Sequence, residues 1–235
     1  MKQIPFLAVI LFSAIFNTAC KNSPESDEAV TTAPKEVADE SGQTFVIQNS
    51  ESAIEWIGTK VSGYHEGKVP IKSGRLTVKA GGIASGNFVL DLANITVTGP
   101  KASKTEANGK LEGHLKSGDF FDVEKFPEGS FEITSVKPYT EAVTEADDPR
   151  QEAISKYKVA NPTHKVSGNL TLKGITKNIE FSAKITLSGN SAEAIAKFNI
   201  DRTQWDIVYP GKPDDLIRNE VHLGIMIKAT RENGN

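Results

Sequence analysis

The chain has 235 residues, 38% hydrophobic and 24% charged, with a formal net charge of −3. Those proportions suit a globular protein with one sizeable core or two small ones. They exclude the basic excess of a nucleic-acid binder, and a single cysteine excludes an intrachain disulfide, so the fold has to rest on core burial.

At the N-terminus, Lys2 precedes an apolar run from Ile4 to Phe16, and small residues then lead to Cys20. The run is too short and too poorly flanked to span a membrane as a helix. Residues 1–19 resemble a bacterial lipoprotein signal peptide, cut before a cysteine whose thiol is then lipidated. An ordinary secretory signal that leaves a free thiol is the alternative reading. Residues 20–42 continue from Cys20 with "KNSPESDEAVTTAPKEVADESG", rich in Ser, Pro, Thr, Ala and acids. Such a stretch buries too little apolar area to offset its ordering entropy, which predicts a disordered acidic tether. Without Lys2 and this segment the remainder, residues 43–235, is formally neutral and reads as one folded domain.

From Phe45 onward the dominant period is two, as in half-buried strands. "SAIEWIG" aligns Ile54 with Trp56, "GKVPIKSG" aligns Gly67, Val69 and Ile71, and "SGNFVLDLAN" puts Phe88, Leu90 and Leu92 on one face. The pattern lapses between Pro100 and Pro127. There Leu111 and Leu115 stand four apart, as on a helical face, and Gly118 breaks that piece. Asp119 is placed to cap a second short helical turn from Phe120 to Lys125. The polar, acidic run "KPYTEAVTEADDPRQEAISK" reads as a solvated loop between strands. Alternation then returns in "HKVSGNLTLKG", "NIEFSAKITL" and "EVHLGIMIKA". Many short alternating strands separated by Gly, Asn and Pro predict an all-β antiparallel sandwich or barrel, and no segment is long enough for the crossover helix of a parallel sheet.

Catalytic signatures are missing. His65, His114, His164 and His222 show no metal-ligand spacing, and neither a nucleophile elbow, a P-loop nor a dinucleotide fingerprint occurs. Asp91 and Asp201 flank apolar strand positions, and Asp201-Arg202 reads as a turn or an ion pair. An acylated Cys20 could not act as a nucleophile. No enzyme activity, cofactor or metal is expected.

Four motifs in order, "GHLKSGDFFDVEKFP", "SFEITSV", "VSGNLTLKGITKNIEF" and "FNIDRTQW", resemble the YceI-like, polyisoprenoid-binding proteins of the bacterial envelope. The likeness runs from about Phe45 to Ala229 and includes "SAIEW", Gly67 and Gly74. Leu111 and Glu112 depart from it, standing where many members have an arginine-aspartate pair. The resemblance implies an extended, lipocalin-like antiparallel β-barrel with short helical segments closing one end and a long apolar ligand inside. The expected apolar lining is Trp56, Val69, Ile71, Phe88, Leu90, Leu92, Leu115, Phe120, Phe121, Phe131, Ile133, Leu170, Leu172, Phe181, Ile185, Phe198 and Ile200. Leu111, Leu115, Phe120, Phe121, Val123 and Phe126 are expected to form an apolar underside that lids one end.

On this reading the protein is a lipoprotein of the cell envelope, at the periplasmic face or the outer-membrane surface. Its partners are an isoprenoid, quinone or fatty-acyl ligand and, through Cys20, a membrane. A homodimer is compatible with the sequence; a nucleic-acid partner is not. The competing reading is an interaction module whose barrel is filled by its own aromatic side chains.

Overall fold

The computed structural model describes residues 23–39, 41–100, 105–141 and 156–232. Its strands in chain order are β1 (Val30–Thr32), β2 (Gln43–Ile47), β3 (Ala53–Lys60), β4 (Gly63–Val69), β5 (Ile71–Lys79), β6 (Gly82–Asp91) and β7 (Thr96–Gly99). Helix α1 (Thr105–Lys116) separates these from β8 (Glu128–Pro138), β9 (His164–Leu172), β10 (Ile175–Ser188), β11 (Ser191–Asp201), β12 (Gly211–Lys212) and β13 (Asp215–Arg231). Eight of them, β2-β5-β6-β8-β9-β10-β11-β13, pair antiparallel into a ring that closes back on β2. Closure leaves no long exposed edge, and the period-two pattern then sends one face of every strand into the lumen.

Three interruptions give the ring a second storey. A 3-10 turn at Asn49–Glu51 separates β2 from β3, Pro70 separates β4 from β5, and a turn at Leu92–Asn94 separates β6 from β7. Proline carries no N–H for a ladder, so β4 and β5 part at that point. Beyond the breaks β13 continues with β3, β4 and β7. Gly67 lets this layer close up: a Cβ there would overlap the Thr96 carbonyl and the Trp56 indole. Helix α1 rests on β7, where Glu112 Oε1 accepts from Val97 N at 2.8 Å and Asn108 Nδ2 donates to Val97 O at 3.2 Å.

After α1 the chain departs from the expected second helical turn. Ser117 Oγ donates to His114 O, and Ser117 O accepts from both Phe120 N and Asp122 N. The chain therefore doubles back in overlapping turns through Asp122 (φ 48°). Asp119 caps nothing helical; its carboxylate lies 2.9 Å from His114 Nε2.

The disordered tether expected for residues 20–42 is also corrected, for residues 23–39. Beyond Ala183–Ala196, β10 and β11 lose their mutual pairing, and the N-terminal segment fills the gap. Asn199 bonds to Asp27 O and Ala29 N on one side, and β1 pairs with Asn178–Glu180 of β10 on the other. The segment then crosses the outside of β9, exchanging two bonds between Lys35 and Asn169, and Ala38 N reaches Ile133 O. The composition argument asked whether the stretch could bury apolar surface. What holds it is hydrogen bonding of its backbone to the backbones of β10, Asn199 and Ile133 and to the Asn169 amide, which belongs to an amide and hydroxyl cluster with Ser167, Asn178 and Thr134 on the outer wall. Residues 1–19, read from the sequence as a signal peptide, Cys20 and most of the acidic loop (residues 142–155) lie outside the described residues.

Candidate ligand-binding cavity

The lumen holds two adjoining spaces. The narrower, about 110 Å³, lies within the eight-strand ring, and every residue on its wall is hydrophobic. Phe88, Phe131, Phe181 and Phe198 occupy much of the ring's interior; Phe181 and Phe198 stack with centroids 4.2 Å apart. Gly168 makes room for this packing, since a Cβ there would meet the Phe131 ring. The wider space, about 360 Å³, lies in the flared storey beneath α1 and the turns after it. Ile54, Leu90, Leu170 and Leu223 line both spaces, so they are two parts of one lumen.

Every residue expected from the sequence to line the lumen does so, except Ile71, which is buried in the core without reaching either space. Phe88, Phe131, Ile133, Phe181, Ile185 and Phe198 face the narrow part. Trp56, Val69, Leu92, Leu115, Phe120, Phe121, Leu172 and Ile200 face the wide part. Leu90 and Leu170 belong to both.

The lid forms with two amendments. Leu111, Leu115, Phe120 and Phe121 cover the wide part, with Phe120 wedged edge-on against His114 and tilted against Tyr209. Val123 is half-buried against the core, while Phe126 sits over Gly174 in the β9–β10 turn, away from the lumen. Leu111 and Glu112 thus have separate tasks, one facing the lumen and one holding β7.

The wide part alone has polar walls. Arg202 is buried and donates to the carbonyls of Arg218, Ile207 and Tyr209, which fixes the irregular run after β11. Burial pulls its guanidinium below the usual range, and neighbouring Asp201 opposes this. Lys60 pairs with Asp215; that bond, with the Ser62 N–H, holds the Asp215 carboxyl down to about 2. His65 is kept below the usual imidazole range by burial and by Lys60. Two buried atoms on this wall, Trp56 Nε1 and His65 Nδ1, have no hydrogen-bond partner among the described residues.

Sequence reasoning missed Arg202, Ile207 and Tyr209 because they sit in an aperiodic turn. It also missed Leu76 and Ile83, because a register shift between Ile71 and Ser73 changes the inward parity of β5 and another, where Thr77 and Val78 face Ser85 and Ile83, changes that of β6. The one available signal was "DRTQW" itself. Asp201 accepts from Thr203 N and Oγ1, Arg202 turns inward, and fully buried Trp205 donates to Leu170 O at 3.0 Å. Asp91 likewise accepts from Asn94 N and Nδ2. Both aspartates serve as turn caps. Among the described residues no group of three or more His, Cys, Asp or Glu side chains is placed to hold a metal ion.

Similar proteins agree with this architecture. A UPF0312 protein of Yersinia enterocolitica is 30% identical over 104 residues, 44% of this chain and 42% of its own. One of Pseudomonas paraeruginosa is 32% identical over 110 residues, 45% and 47% of the two chains. The chain thus spans less than half the length of these curated relatives. Among solved structures, Burkholderia cenocepacia BcnA superposes with a TM-score of 0.57 at 15% identity, covering 78% of this chain and 99% of BcnA. A polyisoprenoid-binding domain from Saccharophagus degradans gives 0.55 at 11%, covering 84% and 100%. At such identities these two share the fold. The sequence profile of the YceI-like domain matches residues 45–229, the span from the second strand to the end of the last, and the chain belongs to that family.

Proposed function

We propose that this protein binds one apolar, chain-like lipid in its lumen and holds or carries it without covalent chemistry. The observation that carries the reading is the lumen itself: a narrow, wholly hydrophobic part opening into a wider part with a few polar atoms. That is the division a lipid with a long tail and a small head would need. The solved Saccharophagus degradans domain is a polyisoprenoid-binding one, which favours an isoprenoid or quinone over a fatty-acyl chain. Shielding a few hundred Å² of tail from water contributes several kcal/mol at about 25 cal/mol per Å², before association costs. The inward residues identified from the sequence are the proposed tail contacts.

Residues 1–19 are proposed as a lipoprotein signal and Cys20 as the acylated residue that attaches the protein to the cell envelope. Acyl chains at one residue supply stable anchoring once more than one is present. Cys20→Ser should release the protein from membranes; a variant still wholly membrane-bound after a salt wash would overturn the anchor. Ligand binding is tested by denaturing mass spectrometry of an organic extract of the purified protein. A lipid recovered in near-stoichiometric amount is expected. Repeated preparations with no extractable lipid and no uptake of a fluorescent isoprenoid or fatty acid would favour a barrel filled by its own side chains.

A further inference from the structure

From Ala183–Ala196 to Ser188–Ser191, β10 and β11 pair directly; towards their other ends they splay, and Asp27–Thr32 stands between them. That stretch is a ninth stave in the wall. It runs antiparallel to β10, with Val30, Thr31 and Thr32 opposite Glu180, Ile179 and Asn178. It runs parallel to β11, where Asn199 N donates to Asp27 O at 2.8 Å and Asn199 O accepts from Ala29 N at 2.9 Å. Asn199 Nδ2 adds bonds to Pro24 O and Glu28 Oε1. Residues 23–39 precede the span matched by the domain profile, so the stave is not part of the matched barrel.

Behind the stave lies the lumen. The strands beside it turn Ile179, Phe181, Phe198 and Ile200 inward, and these line the narrow part and, at Ile200, the wide part. The stave itself contributes little apolar surface. Of the alanines and valines in residues 23–39 only Ala29 packs against the core, and Val30 is 60% exposed. Its bonds go to strand edges and to amides, groups that water satisfies equally well when the stave leaves. Segments with few buried apolar contacts are the ones that open locally. The ring would survive such an opening, because β10 keeps its ladder with β9 and its far end stays zipped to β11. β10 and β11 would then stand about two strand spacings apart, roughly 10 Å, with the width of one extended chain between them.

We propose that Asp27–Thr32 is a removable stave, and that the slot it fills is a side entrance through which the lipid tail passes into and out of the lumen. This rests on the lipid-binding reading above and adds a route to it. A chain laid sideways into a slot reaches apolar surroundings along its whole length at once. Threading it end-on keeps the part still outside in water throughout.

The test uses the full chain carrying Cys20→Ser, so that an added cysteine pair supplies its only thiols. Val30 and Glu180 face each other across the β1–β10 ladder, at a Cα spacing a disulfide can bridge. Oxidised Val30→Cys/Glu180→Cys locks the stave in place. Thr186→Cys/Glu193→Cys, a facing pair in the zipped part of β10–β11, is the control. Uptake and displacement of cis-parinaric acid are followed by stopped-flow fluorescence, and the reduced form of each protein is its own folding control. Oxidation of the stave pair should slow both rates at least about tenfold and leave the equilibrium affinity within about twofold, since a gate acts on rates. Dithiothreitol should restore the rates, and oxidation of the control pair should change nothing. Ala29→Pro, which deletes the N–H donated to Asn199 O, should speed exchange. If the locked stave exchanges lipid as fast as its reduced form, or the control pair slows exchange as much, the tail does not pass through this slot and the lipid-binding reading survives. If the reduced proteins take up neither cis-parinaric acid nor a fluorescent isoprenoid, the lipid-binding reading fails and the side entrance with it.

Discussion

The two parts of the lumen are built from the same strands by different means. In the narrow part β5, β6, β8, β9, β10, β11 and β13 stay paired around the ring with only local bulges in the β5–β6 and β8–β9 ladders, and the wall is a lattice of interlocked phenylalanines and aliphatics. In the wide part three strands are broken, one edge is completed by residues 27–32, and the roof is a helix followed by turns. Regular pairing makes a tight hydrophobic tube with little room. Broken pairing makes volume, and only there does the backbone leave space for inward polar groups. Stability should therefore concentrate in the narrow part and ligand selectivity in the wide part.

The sharpest way to break this contrast is Phe198→Ala. The side chain is almost fully buried and stacked on Phe181, and its loss is expected to cost about 3–5 kcal/mol, read by urea denaturation. A cost below about 1 kcal/mol would show that the narrow part is loosely packed and that the division is false.

Acid probes the outer wall. His222, opposite Asn199 in the β11–β13 ladder, is buried, donates from Nδ1 to Asn199 Oδ1 at 3.0 Å, and is held down to about 4 by burial. Its folded value lies below the unfolded 6.5, so its contribution is complete above pH 6.5 and is lost as pH falls towards 4. The loss should reach about 3 kcal/mol near pH 4, and His222→Gln should flatten that slope. Because Asn199 also holds Asp27 and Ala29, amide exchange at Ala29 should accelerate before that of the inner strands.

Gly168→Ala tests the packing from the opposite direction. The added methyl pushes on the Phe131 ring, and overpacking of this kind costs about 1–3 kcal/mol. The narrow space should shrink, so a long-tailed probe should lose affinity while a short one is unaffected.

In the lid the effect should change character. Phe120→Ala removes a buried ring that faces open cavity on one side, so its cost should be about 2 kcal/mol, below that of Phe198→Ala. Its main result should be faster release of bound lipid, measured by stopped-flow displacement, with Phe121→Ala showing the same release and still less loss of stability. Asp119→Asn, which weakens an exposed contact with His114, should change stability by less than about 1 kcal/mol. A lid variant that destabilised the protein as much as Phe198→Ala would merge the two regions into one core.

Strand alternation made the regular part of this molecule legible. Phe88 and Leu90, Leu170 and Leu172, and Phe181 and Ile185 could be assigned to the lumen because a strand in register gives parity directly to a face. Alternation alone left barrel and sandwich equally open, since closure depends on β13 meeting β2 across the whole chain, which no local pattern records. Ile71 fails because Pro70 and the bulge that follows it turn the strand. The N-terminal segment fails for a different reason: Val30–Thr32 has no apolar face to announce a strand. Its partners are amides and hydroxyls on the outer side of β9, β10 and β11, whose positions read as solvent-facing in isolation.

Ser23, the first described residue, bonds to Thr59 Oγ1 at 3.0 Å and to Glu220 O at 3.2 Å, and Thr59 belongs to the wall of the wide compartment. Under the anchor proposed at Cys20, only two residues separate the acylated position from that attachment, a reach of about 10 Å even when fully extended. The tether then becomes a short leash. It would hold the flared end of the barrel, where Val61, Val208 and Leu216 stand exposed, against the headgroup layer. A lipid leaving the bilayer would meet the lidded, wider end of the lumen without crossing bulk water.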